Sequence, residues 1–397
     1  MFVNKTFHCT YCTNIHAGEN WEITFNNLKA HIPAVKKEVA PGVSFGIGLR
    51  LSNKASEELQ KENNLLHFKQ WLDVNNLYVF TMNGFPYGNF HNAIVKDLVH
   101  APDWTTTERV IYTKRLFNQL AFLLPEGQEG GISTSPISYK HWYNTERAKE
   151  NVLKTGANNM AAIVLQLSEI EKETGKYLHL DIEPEPDGMI ENTVEFLSFY
   201  NDYLLPIACK SIQEATGIDS EEAQELIYRH ITICYDVCHF SLAFEAPQDT
   251  FAMLKKNHIK VGKIQISSAL KIIFDGKNND AIWESLSNFN ESTYLHQVTE
   301  KINNVVTVYN DLPLVLANKK NHRELRAHFH VPIFLETFSN LQSTQDQIIK
   351  VMAYLKKEAV SHHIEVETYT WNVLPEELKM NIDKSISREL KWLLQQF

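Results

Sequence analysis

Four apolar segments in the second half of the chain each close on an acidic or amide side chain, and this recurrence constrains the fold more than any other feature. They are residues 178–183 ending on Glu183, 231–236 ending on Asp236, 261–265 ending on Gln265 and 364–367 ending on Glu367. Each reads as a β-strand with its polar group at the C-terminal end, and a helix-length segment follows each of the first three. Adding the earlier apolar runs gives eight strand candidates: 7–13, 43–50, 77–83, 131–135, 177–183, 230–236, 260–266 and 363–370. Helical periodicity fills the intervals at 54–71, 106–124, 145–174, 193–216 and 344–357. Eight strands alternating with helices predict an α/β fold, a single (β/α)8 TIM barrel over residues 1–397. An open doubly wound sheet would more often carry a Gly-rich phosphate turn after its first strand, and the segment 13–21 holds a single glycine.

Two stretches break the rhythm. Residues 85–103 are a long loop containing Gly, Pro, His and Asn, and about 269–326 is a long insertion before the last strand. Long loops at the catalytic face of a barrel shape substrate binding.

Alternation along a strand sorts its side chains onto two faces. Leu178, Leu180 and Ile182 oppose His179, Asp181 and Glu183. Ile231, Ile233 and Tyr235 oppose Thr232, Cys234 and Asp236. Lys263, Gln265 and Ser267 oppose Ile264 and Ile266, and Glu365, Glu367 and Tyr369 oppose Ile364, Val366 and Thr368. With the apolar faces packed on helices, the polar faces point inward, where a carboxylate is costly unless paired, hydrogen-bonded or metal-bound. The competing reading, an antiparallel sheet with one wet face, does not suit the intervening helices.

Further candidates follow from position. His239 stands three residues after Asp236, and His328 and His330 alternate onto one face. Together with Glu183, Asp236, Gln265 and Glu367 they supply carboxylate, amide and imidazole ligands for a divalent ion, Mn2+, Zn2+ or Mg2+. His16, Arg50, Asn83, Lys263 and His296 are candidates for substrate contact; Arg50 and Asn83 end the second and third strands and serve equally well as loop caps. Cys9 and Cys12 fall on opposite faces of the first strand, a structural rather than a zinc or redox pair.

Composition bounds the partners. Net charge is −10, with 44% hydrophobic and 22% charged residues, which argues against a broad phosphate-binding surface and hence against nucleic acid. Five cysteines suit a reducing compartment. The N-terminal sequence shows no signal-peptide pattern and no apolar run suffices to span a bilayer, so a soluble cytoplasmic protein without membrane insertion is expected.

The strand-end order Glu183, Asp236, Gln265, Glu367 resembles that of the xylose-isomerase-like barrels, a superfamily of sugar and sugar-phosphate isomerases and epimerases that also includes endonuclease IV. More narrowly, Cys9-Thr10-Tyr11-Cys12-Thr13-Asn14-Ile15-His16, Leu180-Asp181-Ile182-Glu183-Pro184-Glu185-Pro186, Tyr235-Asp236-Val237-Cys238-His239 and His328-Phe329-His330-Val331-Pro332 resemble the EboE-type metabolite-traffic proteins over nearly the whole length. The resemblance implies one divalent metal held by Glu183, Asp236 and Glu367, with Glu183 and Glu367 as the acid/base pair. Gln265 stands where the family usually has His. It implies a small polar metabolite as ligand and other Ebo-cluster proteins as partners. Three readings follow: a metal-dependent isomerase or epimerase, a non-catalytic metabolite-binding or handover protein, and a phosphodiesterase or abasic-site nuclease. The last runs against the acidic charge balance and against the absence of matching histidines at Arg50 and Asn83.

Overall fold

The computed structural model of the chain describes residues 1–88, 96–372, 374 and 381–397. The eight expected strands form. They are Phe7–Tyr11, Phe45–Arg50, Leu77–Asn83, Gly130–Thr134, Leu178–Ile182, Ile231–Asp236, Val261–Ile266 and His363–Val366. They pair in parallel from second to eighth in sequence order, and the eighth pairs in parallel with the first. The ring closes between first and second strands through a seam. The first half of the first strand pairs antiparallel with Phe2–Val3. Its second half meets the second strand by the Cys12–Gly48 bridge and by the Thr10 hydroxyl, which donates to Gly46 O at 2.7 Å and accepts from Gly48 N at 3.2 Å. A side chain thus replaces part of a backbone ladder. The result is a nearly closed, mostly parallel α/β barrel.

The five helical intervals read from 3.6-residue periodicity are helical, and Trp21–Val39, Ser220–His230, Pro247–Lys256 and Ile382–Leu394 add to them. Glu146–Thr174 is capped by the Thr145 hydroxyl, stops at left-handed Gly175 (φ 70°), and buries Val152, Met160, Val164 and Leu167 on one face. Two segments expected to be continuous are broken. Residues 54–71 divide into Asn53–Leu59 and Asn64–Val74, with Glu62 left-handed between them at φ 52°. Residues 193–216 widen into a π-helical stretch, Phe199–Leu204, just before Pro206, whose missing N–H cannot continue the α ladder.

The segment after the seventh strand is structured. Strands Leu270–Ile273, Val298–Ile302, Val305–Tyr309, Glu324–Ala327, Thr337–Phe338 and Leu341–Ser343 form a six-stranded antiparallel sheet. This sheet reaches beyond residue 326 to Ser343, where helix Gln345–Leu355 begins the return to the barrel. Of the loop at 85–103, residues 89–95 lie outside the described residues. Its described ends are tied by Arg109, whose guanidinium donates to the carbonyls of Gly84, Phe85 and Pro102.

The barrel interior is polar along much of its depth, unlike the branched apolar filling common in this architecture. Lys263 and Glu365, both fully buried, pair at 3.0 Å, and the ammonium also donates to Met82 O and Ser133 Oγ. Much of the inward-facing charge expected from the alternation is therefore neutralised within the barrel itself. Among the described residues no lysine pairs with Glu183, Asp236 or Glu367 at the C-terminal rim; Lys96, at the edge of the cavity there, pairs with Asp311.

Candidate metal centre

Backbone ladders fix the rim carboxylates. Glu183 N donates to Thr134 O at 2.9 Å and Glu367 N to Ile266 O at 3.1 Å, each one residue past its strand. Asp236 ends the sixth strand and caps the helix Val237–Leu242: its Oδ1 accepts from His239 N at 3.0 Å and from Ser267 Oγ at 2.7 Å. The three-residue spacing of Asp236 and His239 is thus an N-cap spacing, and it brings both side chains to the same rim. One carboxylate oxygen from each of Glu183, Asp236 and Glu367 lies within 4.8 Å of the others, and all three residues are buried.

The acids differ in how their oxygens are engaged. Glu367 Oε1 accepts from Asn14 Nδ2 at 2.8 Å and Asn83 Nδ2 at 2.9 Å. By contrast Glu183 Oε2, Asp236 Oδ2 and Glu185 Oε2 are buried without a hydrogen-bond partner among the described residues. Burial raises the pKa of Glu183 well above the carboxylate range, and the charges of Asp236 and Glu185 add to the effect. Burial likewise raises Glu367, reinforced by Glu183 and Asp236. Burial works against charge on Asp236 too, but His239, His330 and its two hydrogen bonds hold its pKa below the ordinary value.

The histidines complete the donor set. His330 Nδ1 donates to Glu367 O at 2.8 Å, which leaves Nε2, buried and without a partner among the described residues. His239 Nδ1 donates to Pro184 O at 2.9 Å. His328 Nδ1 faces Gln297 Oε1 at 2.9 Å, while Gln297 Nε2 faces Pro186 O at 3.3 Å, so the amide oxygen is the acceptor. Both Nδ1 protons are then committed, yet His239 Nε2 and His328 Nε2 stand 3.1 Å apart. Two bare lone pairs do not attract, and burial depresses the pKa of both rings, with neighbouring histidines deepening the shift at His328. A divalent cation held by both imidazole nitrogens would resolve the contact. Asp236, His239 and His330 form a second compact set, and Cys238, His328 and His330 a third.

These residues fit a divalent metal on three counts. Oxygen and nitrogen donors converge, those on Glu183, Asp236 and His330 include buried atoms without a partner among the described residues, and each histidine is oriented through its other nitrogen by a carbonyl or amide. A cavity of about 60 Å³ opens over them, its lining including Asn14, Asn83, Glu183, Glu185, His330 and Glu367.

The remaining sequence candidates are placed as follows. Asn83 lines the cavity and holds Glu367. Gln265 lies inside the barrel, its Oε1 accepting from the Cys234 thiol at 3.1 Å. Arg50 is buried and donates to the carbonyls of Gly18, Pro86 and Gly88, tying loops together. His16 stacks on His31 at 4.3 Å and meets the Tyr11 hydroxyl. Lys263 lies deeper, on Glu365. His296 stacks on Phe329, and its Nδ1 donates to His328 O at 2.7 Å, bracing the neighbouring histidine. Arg50, His16, Lys263 and His296 do not line the cavity. Asn14, Glu185, Ser267 and Gln297 join the site with no role assigned from sequence. The signal for Glu185 was present, since it continues the alternation of Asp181 and Glu183; Gln297 carried none, because only the folded insertion brings it to His328. Cys9 and Cys12 are buried free thiols, and burial pushes Cys9 up to about 12, as an inert thiol requires.

No protein-family model and no curated relative matches the chain. Solved structures do. A xylose-isomerase-like TIM barrel protein from Mycobacterium smegmatis in complex with magnesium aligns at TM-score 0.51 and 8% identity, covering 100% of this chain and 98% of that one. An Anabaena variabilis protein classed with the sugar phosphate isomerases/epimerases aligns at TM-score 0.50 and 12% identity over 98% of both chains. The IolI protein with a bound zinc atom aligns at TM-score 0.43 and 12% identity, covering 98% and 99%. The fold is that of the xylose-isomerase-like TIM barrels.

Proposed function

We propose that the chain is a metal-dependent isomerase or epimerase of the sugar (phosphate) type, acting on a small polar metabolite at the C-terminal rim of the barrel. The observation that carries this reading is the convergence of Glu183, Asp236 and Glu367, each buried, with oxygens on Glu183 and Asp236 that have no partner among the described residues. Glu183, Asp236, Glu367 and His330 would hold the ion, with His239 and His328 as a further pair of donors. A bound divalent ion supplies a Lewis acid that polarises a substrate carbonyl and its neighbouring hydroxyl. Glu183 and Glu367 carry the substrate proton, since raised carboxyl pKa values bring proton exchange toward neutral pH. Asn14 and Asn83 fix the Glu367 carboxylate, and Phe85, Tyr294 and Tyr369 wall the cavity against water. The magnesium in the Mycobacterium smegmatis neighbour supports a divalent ion. The sequence resemblance to EboE-type proteins supports a place in a metabolite-traffic pathway, a cytoplasmic setting and other Ebo-cluster proteins as partners.

Gln265 favours a second reading, a non-catalytic metabolite-binding or handover protein. Its amide oxygen is engaged by Cys234, where the related enzymes usually offer a histidine.

The test is metal content followed by solvent deuterium exchange. The isomerase reading expects at least one divalent ion per chain in wild type, less in Glu367→Gln. It also expects D2O label entering the carbon next to the carbonyl of an aldose, ketose or their phosphates, abolished by Glu183→Gln. Metal binding and tight retention of a metabolite without label would establish the handover reading. Undiminished metal in a Glu183→Gln/Asp236→Asn protein would remove these residues from the site.

A further inference from the structure

We propose that Glu129, His179 and His363 form a second metal site, of the Zn2+ class, at the N-terminal base of the barrel. All three sit at strand starts: Glu129 precedes Gly130–Thr134, His179 is the second residue of Leu178–Ile182, and His363 opens His363–Val366. The active-site rim lies at the other ends of these strands. One ligand atom from each residue lies within 4.8 Å of the others.

Three observations point to a ligand rather than to packing. His363 is fully buried, yet neither ring nitrogen has a partner among the described residues. Such a ring leaves both a donor and an acceptor unmet, which is costly unless something occupies one of them. Second, His179 is oriented as metal-bound histidines are. Its Nδ1 meets Asp181 Oδ1 at 2.5 Å, and Asp181 in turn accepts from the Thr232 hydroxyl. The carboxylate thereby fixes the proton on Nδ1 and leaves Nε2 with its lone pair to give. Third, glycines seat the oriented His179–Asp181 pair: a Cβ at Gly131 on the fourth strand would collide with the His179 ring, and one at Gly262 on the seventh with Asp181 and Thr232. His362 Nδ1 holds Glu129 Oε1 at 2.9 Å, leaving the second carboxylate oxygen available. A cavity of about 210 Å³ lined by Glu129, His179, Thr232 and Lys260 gives an ion a route in.

Two imidazoles and one carboxylate are a donor set suited to Zn2+. Bound there, the ion would cross-link the starts of the fourth, fifth and eighth strands, at the barrel face concerned with stability rather than chemistry.

The experiment is a Zn2+ titration of the full chain against a chromophoric chelator, with stoichiometry checked by elemental analysis. It compares wild type, Glu129→Gln, His179→Asn and the rim variant Asp236→Asn. The proposal expects each base variant to lose about one Zn2+ per chain or to weaken one class of site at least roughly 10-fold. It also expects Asp236→Asn to leave that class unchanged, and Zn2+ to raise the melting temperature less in Glu129→Gln than in wild type. Glu129 is partly exposed, so its amide variant decides the matter even if His179→Asn does not fold. Unchanged stoichiometry and affinity in natively folded Glu129→Gln would overturn the base site and leave the rim site standing. A rim that binds nothing would leave one base ion, still lost in Glu129→Gln.

Discussion

Glu367 shows how a single side chain in this protein is aimed. Its Oε1 takes two amide protons, from Asn14 and Asn83, so rotating the carboxylate breaks two buried hydrogen bonds. Replacing Asn83 by Ala removes one of these bonds while sparing every proposed ligand. Zn2+ affinity at the rim is then expected to fall by about 10–100-fold, read by chelator competition; an unchanged constant would show that the amides do not position the acid. A different residue pair carries the interior. Lys263 and Glu365 are both fully buried, and breaking such a pair costs about 3–5 kcal/mol, whereas replacing both partners with apolar groups is often neutral. Lys263→Met should therefore lower stability in urea by that order, and the Lys263→Met/Glu365→Leu double variant should recover most of it. Glu183, Asp236 and Glu367 were legible because a strand end and a two-residue alternation suffice to place them. The partner of Glu365 was not, because choosing between an interior lysine and a metal as its counter-charge requires knowing how deep each residue lies.

The elements divide by how locally they are specified. Parallel strands buried on both faces announce themselves as apolar runs, and all eight were readable. The five helical intervals read from periodicity form, except where a left-handed Glu62 or the stretch before Pro206 interrupts the ladder, whereas the helices Trp21–Val39, Ser220–His230, Pro247–Lys256 and Ile382–Leu394 were not read. The inserted sheet was not read, because its strands span two to five residues and pair out of sequence order, as Leu270–Ile273 does with Glu324–Ala327 and Leu341–Ser343. One signal in it was nevertheless local. Asn303 and Asn304, at φ 49° and 64°, join Val298–Ile302 to Val305–Tyr309 in a two-residue hairpin turn that demands left-handed residues. Valine at both positions should cost about 1–2 kcal/mol each. Hydrogen exchange measured by mass spectrometry should rise across 298–309 and stay level in the barrel strands. Uniform exchange across the molecule would mean that the hairpin is held by its packing and not by its turn. The sheet also delivers His328 and His330 to the rim, which is why two histidines distant from every other ligand in sequence end beside Asp236.

At the scale of the molecule, three regions meet at one buried acid. Glu389, on the C-terminal helix Ile382–Leu394, accepts from Thr368 Oγ1 at 2.7 Å, just past the eighth strand, and from Ile333 N at 3.2 Å, in the loop between the inserted-sheet strands Glu324–Ala327 and Thr337–Phe338. Burial lifts its pKa to about 8 from an ordinary 4.5, only partly opposed by the Thr368 and Ile333 hydrogen bonds. A carboxyl whose pKa is higher folded than unfolded binds its proton more tightly in the native state. Its contribution is therefore fully present below the unfolded value and is lost as pH rises through the folded one. Between about pH 4.5 and 8 the chain should lose stability on this account and should lose no more above that window. The loss should amount to a few kcal/mol, because each tenfold difference in proton affinity between the two states is worth roughly 1.4 kcal/mol. Glu389→Gln keeps an acceptor oxygen for both bonds and has no charge to bury. Its melting temperature should match or fall slightly below that of wild type near pH 5 and exceed it at pH 9, with the difference opening between those limits. Parallel melting profiles for the two proteins across that range would mean that Glu389 is ionised in the fold and that its charge is met by a group other than Thr368 and Ile333.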